Sequence, residues 1–198
     1  MFAQNQLWFK QIVDHANYQS SSTWDQRYWV IDNFFNPNVG PVFLFICGEY
    51  VCQGVPDSRQ WVVTLAQKLQ GLILVLEHRY YGQSMPFKND SLNLDKMVYL
   101  TSEQALSDLA YFIQQMRDTH SHKITDKSPF ITIGGSYPGA LAAWFRYTYP
   151  HLTIGSIASS AVILAIEDYK DFDEQMYLSS VQSGDYCYQA INASSTRV

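Results

Sequence analysis

Ile133-Gly134-Gly135-Ser136-Tyr137-Pro138-Gly139-Ala140 is the stretch on which the fold turns. An apolar run, Phe130-Ile131-Thr132-Ile133, has the character of a strand buried on both faces. It ends in two glycines and a serine, and an Ala-, Leu-, Trp- and Phe-rich segment from Ala140 to Tyr149 follows at once. That segment is apolar almost all round, which predicts a buried helix. Strand, tight turn with serine, then helix is the setting of a nucleophile elbow. The glycines Gly134, Gly135 and Gly139 let strand and helix close around the turn. Ser136 is then carried on a strained turn at the carboxyl edge of the sheet, where open α/β folds bind ligands. The N–H of Tyr137, at the start of the helix, would help to hold an oxyanion. The bland alternative is a glycine-rich turn with an incidental serine. Pro138 stands where G-x-S-x-G has its second glycine. Proline is tolerated in a first helical turn, but it restricts the residue before it, Tyr137.

Working outward, strand-like and helix-like segments alternate. Gln26 to Ile31 suits a strand, and Val42 to Cys47 and Leu72 to Leu76 are continuous apolar runs expected of buried strands. Arg59 to Leu69 fits a helix, with Trp61, Val62, Leu65, Ala66 and Leu69 at helical spacing. Thr101 followed by Gln104 resembles a capping box, opening a helix with Ala105, Leu106, Leu109, Phe112, Ile113 and Met116 on one face. Ile154 to Ala158 suits one more strand. This order predicts an α/β fold with a mainly parallel sheet and helices on both faces. Residues 1–183 are expected to form that unit, and 184–198, rich in Ser, Asn and Gly, a loosely ordered tail.

Composition limits the function. The 198 residues are 47% hydrophobic and 16% charged, with a net charge of −5, which excludes a disordered chain. The acidic balance without a Lys/Arg cluster argues against nucleic acid as partner. No apolar run approaches the roughly 20 residues that span a membrane. The opening residues lack the basic start and apolar stretch of a signal peptide. Two sequons, at Asn89 and Asn192, matter only if the chain is secreted. Of the cysteines Cys47, Cys52 and Cys187, the first two are close enough to close a small loop, although three free buried thiols serve equally well.

Two further signals follow buried strands. In Cys47-Gly48-Glu49-Tyr50, Gly48 lets the backbone approach a substrate. The N–H of Glu49 or a neighbour is placed as the second oxyanion donor of an α/β-hydrolase. A turn with an exposed acid is the alternative. In Glu77-His78-Arg79-Tyr80-Tyr81-Gly82, the residues His78, Arg79 and Tyr80 either line the site floor or satisfy buried polar groups beneath it.

Taken together, Gly134 to Arg146, Tyr149-Pro150-His151, Ala158-Ser159-Ser160-Ala161, Glu77 to Gly82, Ser84 to Phe87 and Thr101 to Asp108 resemble one serine peptidase family. It is the family of lysosomal Pro-X carboxypeptidase, dipeptidyl peptidase II and thymus-specific serine protease. Trp8-Phe9, Asp14-His15 and Gln26-Arg27-Tyr28 match its start, so the similarity runs from about Trp8 to Gln175. Most members carry Gly or Ala at the place of Pro138. The resemblance implies an α/β-hydrolase fold, Ser136 as nucleophile, no cofactor or metal, and a lysosomal or secreted location. It also implies exopeptidase action on peptides, proline-containing ones among them.

The resemblance further implies a general base and a carboxylate downstream of the serine, beyond a helical specificity domain. His151 is the one histidine after Ser136. At ~1.5 Å per residue along the intervening helix it stands roughly 20 Å away, which predicts a structural role. His120 and His122, in a polar loop, are expected to be solvated. The expectation is therefore an incomplete α/β-hydrolase, its specificity domain and C-terminal core absent, with a homodimer or a C-terminal half as partner. An α/β-hydrolase esterase and an inactive binding protein are the competing readings.

Overall fold

The computed structural model describes residues 5–17, 19–55 and 61–195. They fall into two compact units, residues 1–163 and residues 164–198. The first unit holds strands β1 (Asn5–Ile12), β2 (Thr23–Ile31) and β3 (Val42–Ile46), helix α1 (Trp61–Leu69) and strand β4 (Leu72–Leu76). Helix α2 (Ser102–Asp118), strand β5 (Phe130–Gly135), helix α3 (Tyr137–Thr148) and strand β6 (Gly155–Ser159) complete it. The second contains helices α4 (Lys170–Gln182) and α5 (Asp185–Ser195).

Six strands form one sheet in the order β1-β2-β4-β3-β5-β6. β4, β3, β5 and β6 run parallel, while β1 and β2 add an antiparallel edge. Three of the parallel strands, β3, β4 and β5, are those read as apolar runs, and β3 and β4 are buried at every position. Alternate residues serve opposite layers. Val42, Leu44 and Ile46 join Leu109, Phe112 and Ile113 of α2 and Leu141 and Phe145 of α3 in one core. Phe43 and Phe45 join Val62, Val63 and Ala66 of α1 in the other. Removing apolar surface from water on both faces at once is what drives these short strands to the centre.

Several expectations shift. β1 was not foreseen from periodicity, because Gln6, Lys10 and Gln11 interrupt its apolar residues; it is an edge strand that is exposed or half-buried at most positions. Helix α1 is described from Trp61, and the Arg59 end of the expected helix lies outside the described residues. Helix α3 is not covered all round, since Tyr147 is 89% exposed. Helix α5 lies within residues 184–198, and the two compact units divide at 163/164. Tyr188 of α5 packs edge-on against Tyr177 of α4, with ring centroids 5.3 Å apart.

Thr101 caps α2, its hydroxyl accepting from the Gln104 N–H at 3.2 Å. The other half of the capping box is replaced by a long-range tie. Gln104 donates to Asp14 Oδ1 at 2.7 Å and accepts from the His15 N–H at 3.0 Å. The chain after β1 is thereby fastened to the helix start. No described helix is long and apolar enough to cross a membrane.

Candidate active site

Ser136 sits between β5 and α3 with φ 62° and ψ −128°. This is a conformation that side chains other than glycine avoid, so the fold holds the residue there at a cost. Its N–H donates to the Ser159 carbonyl of β6 at 3.0 Å, and its carbonyl accepts from Ala140 N–H at 3.0 Å. The backbone is clamped on both sides while the side chain is exposed and hydrogen-bonds to no described residue.

The surrounding glycines are explained by contact. A Cβ on Gly134 would lie 2.0 Å from the Pro138 carbonyl oxygen, and one on Gly139 would lie 2.9 Å from the Ser159 carbonyl oxygen. Neither position has room for a side chain. Gly135, the last residue of β5, is half-buried beside Ser136.

A cleft of about 390 Å³ opens beside the serine, lined by Phe45, Ile46, Glu49, Tyr50, Gly135, Ser136 and Pro138. The structure thus brings Ser136 and Glu49 to one cleft from strand ends more than eighty residues apart. Tyr137 begins α3, so its N–H lacks an intrahelical acceptor. In the facing loop the Tyr50 N–H donates to the Gly48 carbonyl at 2.8 Å, while the Glu49 N–H has no acceptor among the described residues. Gly48 packs on the Pro138 ring.

That loop is tied down by the cysteine pair that the sequence offered as one alternative, and by a buried carboxylate. Cys47 and Cys52 are disulfide-bonded, which closes the segment bearing Gly48 and Glu49. Cys187 is free. The buried Glu77 carboxylate accepts from the Cys52 N–H at 3.0 Å. It also accepts from Arg27 Nη2 and Nε at 2.6 and 3.1 Å, the Gln83 N–H at 3.1 Å and the Ser84 hydroxyl at 2.8 Å. Gly82, at φ 59°, gives this carboxylate space, since a Cβ there would lie 1.9 Å from Oε1. Five donors on one buried carboxylate make it a rigid post. Glu77 and Arg27 both fall in motifs quoted from the sequence, but nothing local pairs the two across fifty residues.

His78, Arg79 and Tyr80 lie below the cleft rather than on its walls. The fully buried Arg79 guanidinium is forked onto Asp108 at 2.6 and 2.7 Å, and Asp108 also meets His15 Nε2 at 2.8 Å. Tyr80, at φ 68°, is buried, with its hydroxyl on the Lys96 carbonyl; burial raises its pKa. His78 is 5% exposed and stands 3.0 Å from the Tyr137 hydroxyl. Burial lowers the His78 pKa and pushes Tyr137 up to about 12, with the Glu49 charge adding to the latter. His151 is exposed beyond the far end of α3. His122 departs from expectation: it is half-buried, 3.2 Å from the Tyr28 hydroxyl, and burial lowers its pKa.

A predominantly parallel sheet flanked by helices, with a serine on a positive-φ turn between strand and helix, defines an α/β-hydrolase. The thioesterase domain from the curacin biosynthetic pathway shares this fold with a TM-score of 0.55 over 90% of this chain and 52% of that one, at 13% identity. Residues 11–198 match the serine carboxypeptidase S28 family, and the chain belongs to that family of serine peptidases. It is 42% identical to the "Probable serine protease EDA2" of Arabidopsis thaliana over 95% of this chain and 39% of the relative. It is 35% identical to the human lysosomal Pro-X carboxypeptidase, over 95% of this chain and 38% of that protein. The chain therefore spans about two-fifths of the length of these relatives.

Proposed function

We propose that this chain supplies the nucleophile and oxyanion hole of a serine-type exopeptidase, with Ser136 attacking the scissile carbonyl. The observation that carries this is the exposed Ser136 side chain, held at φ 62° in the Glu49-lined cleft. The N–H groups of Tyr137 and Glu49 stabilise the tetrahedral oxyanion. Gly48 keeps the cleft open to a peptide, and the Glu49 carboxylate at its rim suits a substrate amine.

A serine needs a base to take its proton as the bond to carbon forms. None of the described histidines hydrogen-bonds Ser136, so the base and its orienting carboxylate come from outside these 198 residues. The outer edge of β6, unpaired among the described residues, with Ile154, Val162 and Ile163 exposed near it, supports a C-terminal half or a second copy as the partner. Kinship with a lysosomal Pro-X carboxypeptidase supports peptides with proline at the cleavage site as substrates, and a lysosomal or secreted location.

In the full-length protein, Ser136→Ala abolishes hydrolysis of a proline-containing peptide; unchanged turnover overturns the assignment. The free Ser136 hydroxyl also favours a second reading, a binding protein without turnover. Normal folding of the full-length protein with no labelling of Ser136 by a fluorophosphonate probe supports that reading. Hydrolysis of acyl esters with no peptide cleavage assigns an esterase instead.

A further inference from the structure

Beneath the cleft the Tyr137 side chain meets a buried histidine that the proposed chemistry does not use. His78 Nδ1 lies 2.7 Å from the Arg79 carbonyl oxygen, and His78 Nε2 lies 3.0 Å from the Tyr137 hydroxyl. A carbonyl only accepts, so Nδ1 carries the proton. In the neutral ring Nε2 is then an acceptor, and the Tyr137 O–H is the donor. Desolvation lowers the pKa of this imidazole and so favours its neutral form. Tyr81 also packs against the ring, edge-on at 5.4 Å.

The support below is rigid. Besides its fork onto Asp108, Arg79 donates to the carbonyls of Tyr99 at 2.9 Å, Val13 at 3.2 Å and Ile12 at 3.3 Å. The carbonyl that orients His78 therefore belongs to one of the most heavily tied residues in the fold.

Tyr137 has a particular need of such a tie. It precedes Pro138, and a residue before proline is pushed away from helical backbone angles. It nonetheless opens α3. An oxyanion donor works only within a few tenths of an ångström of its target.

Resting on the reading of Ser136 as nucleophile, we propose that His78 is a positioning residue. Its Nε2 anchors the Tyr137 hydroxyl and so holds the Tyr137 N–H against the oxyanion, countering the bias that Pro138 imposes. His78 does not touch the substrate; it acts through Tyr137.

The test uses the full-length protein and a proline-containing peptide, with Ser136→Ala, His78→Ala, His78→Gln, Tyr137→Phe and the His78→Ala/Tyr137→Phe pair. Tyr137→Phe and His78→Ala each lower kcat about tenfold and leave KM within about twofold, because the lost interaction matters in the transition state. The pair is no slower than the slower single variant. His78→Gln, whose amide oxygen can take the place of Nε2, returns kcat to within about threefold of wild type. Tyr137→Phe with wild-type kcat, beside an inactive Ser136→Ala, overturns the positioning role and leaves the nucleophile standing. Equal losses of melting temperature in all variants without the kcat split overturn it too. Wild-type turnover by Ser136→Ala overturns both. Imidazole ¹⁵N shifts give a readout that does not need activity: they report the Nδ1–H tautomer at His78 and a change at Nε2 in Tyr137→Phe. The opposite tautomer refutes the proposal.

Discussion

The ring of Pro138 lies directly on the backbone of Gly48, so that a Cβ at position 48 would fall 2.6 Å from Pro138 Cγ and 2.9 Å from Cδ. The start of α3 and the loop after β3 are thus in contact at the mouth of the cleft. The proline that departs from the usual motif is accommodated by a glycine ninety residues earlier. Gly48→Ala must push one element off the other. We expect a loss of about 1–3 kcal/mol in stability, as for other overpacked sites, together with a fall in kcat from the displaced Glu49 N–H. Chemical denaturation and steady-state rates of the full-length protein measure both, and a fully active, equally stable variant refutes the contact.

Glu77 and Arg27 form the buried pair beneath the disulfide loop. Glu77→Gln leaves a charged Arg27 without its counter-ion in a site that water does not reach. The expected loss is about 3–5 kcal/mol, read as a lower denaturant midpoint. Replacing both by apolar residues of similar volume should recover stability but not the anchoring of the Cys52 N–H. The double variant therefore folds and turns over slowly. Full activity in it would show that the loop needs no such post.

Removing the Cys47–Cys52 bond by Cys52→Ser frees a loop with a sequence separation of 5. Loop-closure entropy for so short a ring gives a destabilisation of about 2 kcal/mol. Because Glu77 still holds residue 52 through its N–H, the variant should fold, with kcat reduced more than the melting temperature suggests. A variant indistinguishable from wild type in both would separate the bond from the site.

His78 and Tyr137 contribute pH dependences of opposite sense to stability. His78 has its pKa lowered by burial, opposed by its bond to the Arg79 carbonyl and the charges of Asp108 and Glu49, and reinforced by Arg79. Below its unfolded value the unfolded chain takes up the proton first, so this contribution is lost as pH falls through about 6.5. Tyr137, raised to about 12, stays protonated in the fold when the unfolded phenol ionises near pH 10. Its contribution is lost as pH rises from 10 towards 12. Melting temperatures of wild type, His78→Gln and Tyr137→Phe across pH test this. The His78 variant should reduce the slope of the acid limb alone, and the Tyr137 variant that of the alkaline limb. Identical limbs in all three proteins would contradict both assignments.

Ser136 carries two independent demands, exposure and a positive φ. Ser136→Gly removes the nucleophile and also the backbone strain, so it should be about 1 kcal/mol more stable than Ser136→Ala while both are inactive. Equal stabilities would mean that the turn stores no strain.

The amino-acid sequence alone determined the central parallel strands and the elbow, since both are written in consecutive residues. Five apolar side chains in a row must be covered on two faces, and Gly134, Gly135 and Ser136 between strand and helix leave few backbone solutions. It also carried the family resemblance, through motifs that are local. Edge strand β1 was not legible in the same way, because a half-exposed strand tolerates Gln6, Lys10 and Gln11 and loses its periodic signal. Nor was the use of Gln104, whose spacing from Thr101 suggested a cap but whose side chain reaches Asp14 and His15 instead.

Only the tertiary structure decided which distant residues share a site. Glu77 with Arg27, His78 with Tyr137, and Gly48 with Pro138 each join positions at least fifty residues apart. Their pairing follows from strand order and helix placement, which bring strand ends together regardless of separation along the chain. A buried charge or imidazole acquires its role from the partner the fold delivers, because in a site without water every donor and acceptor must be met by another protein group.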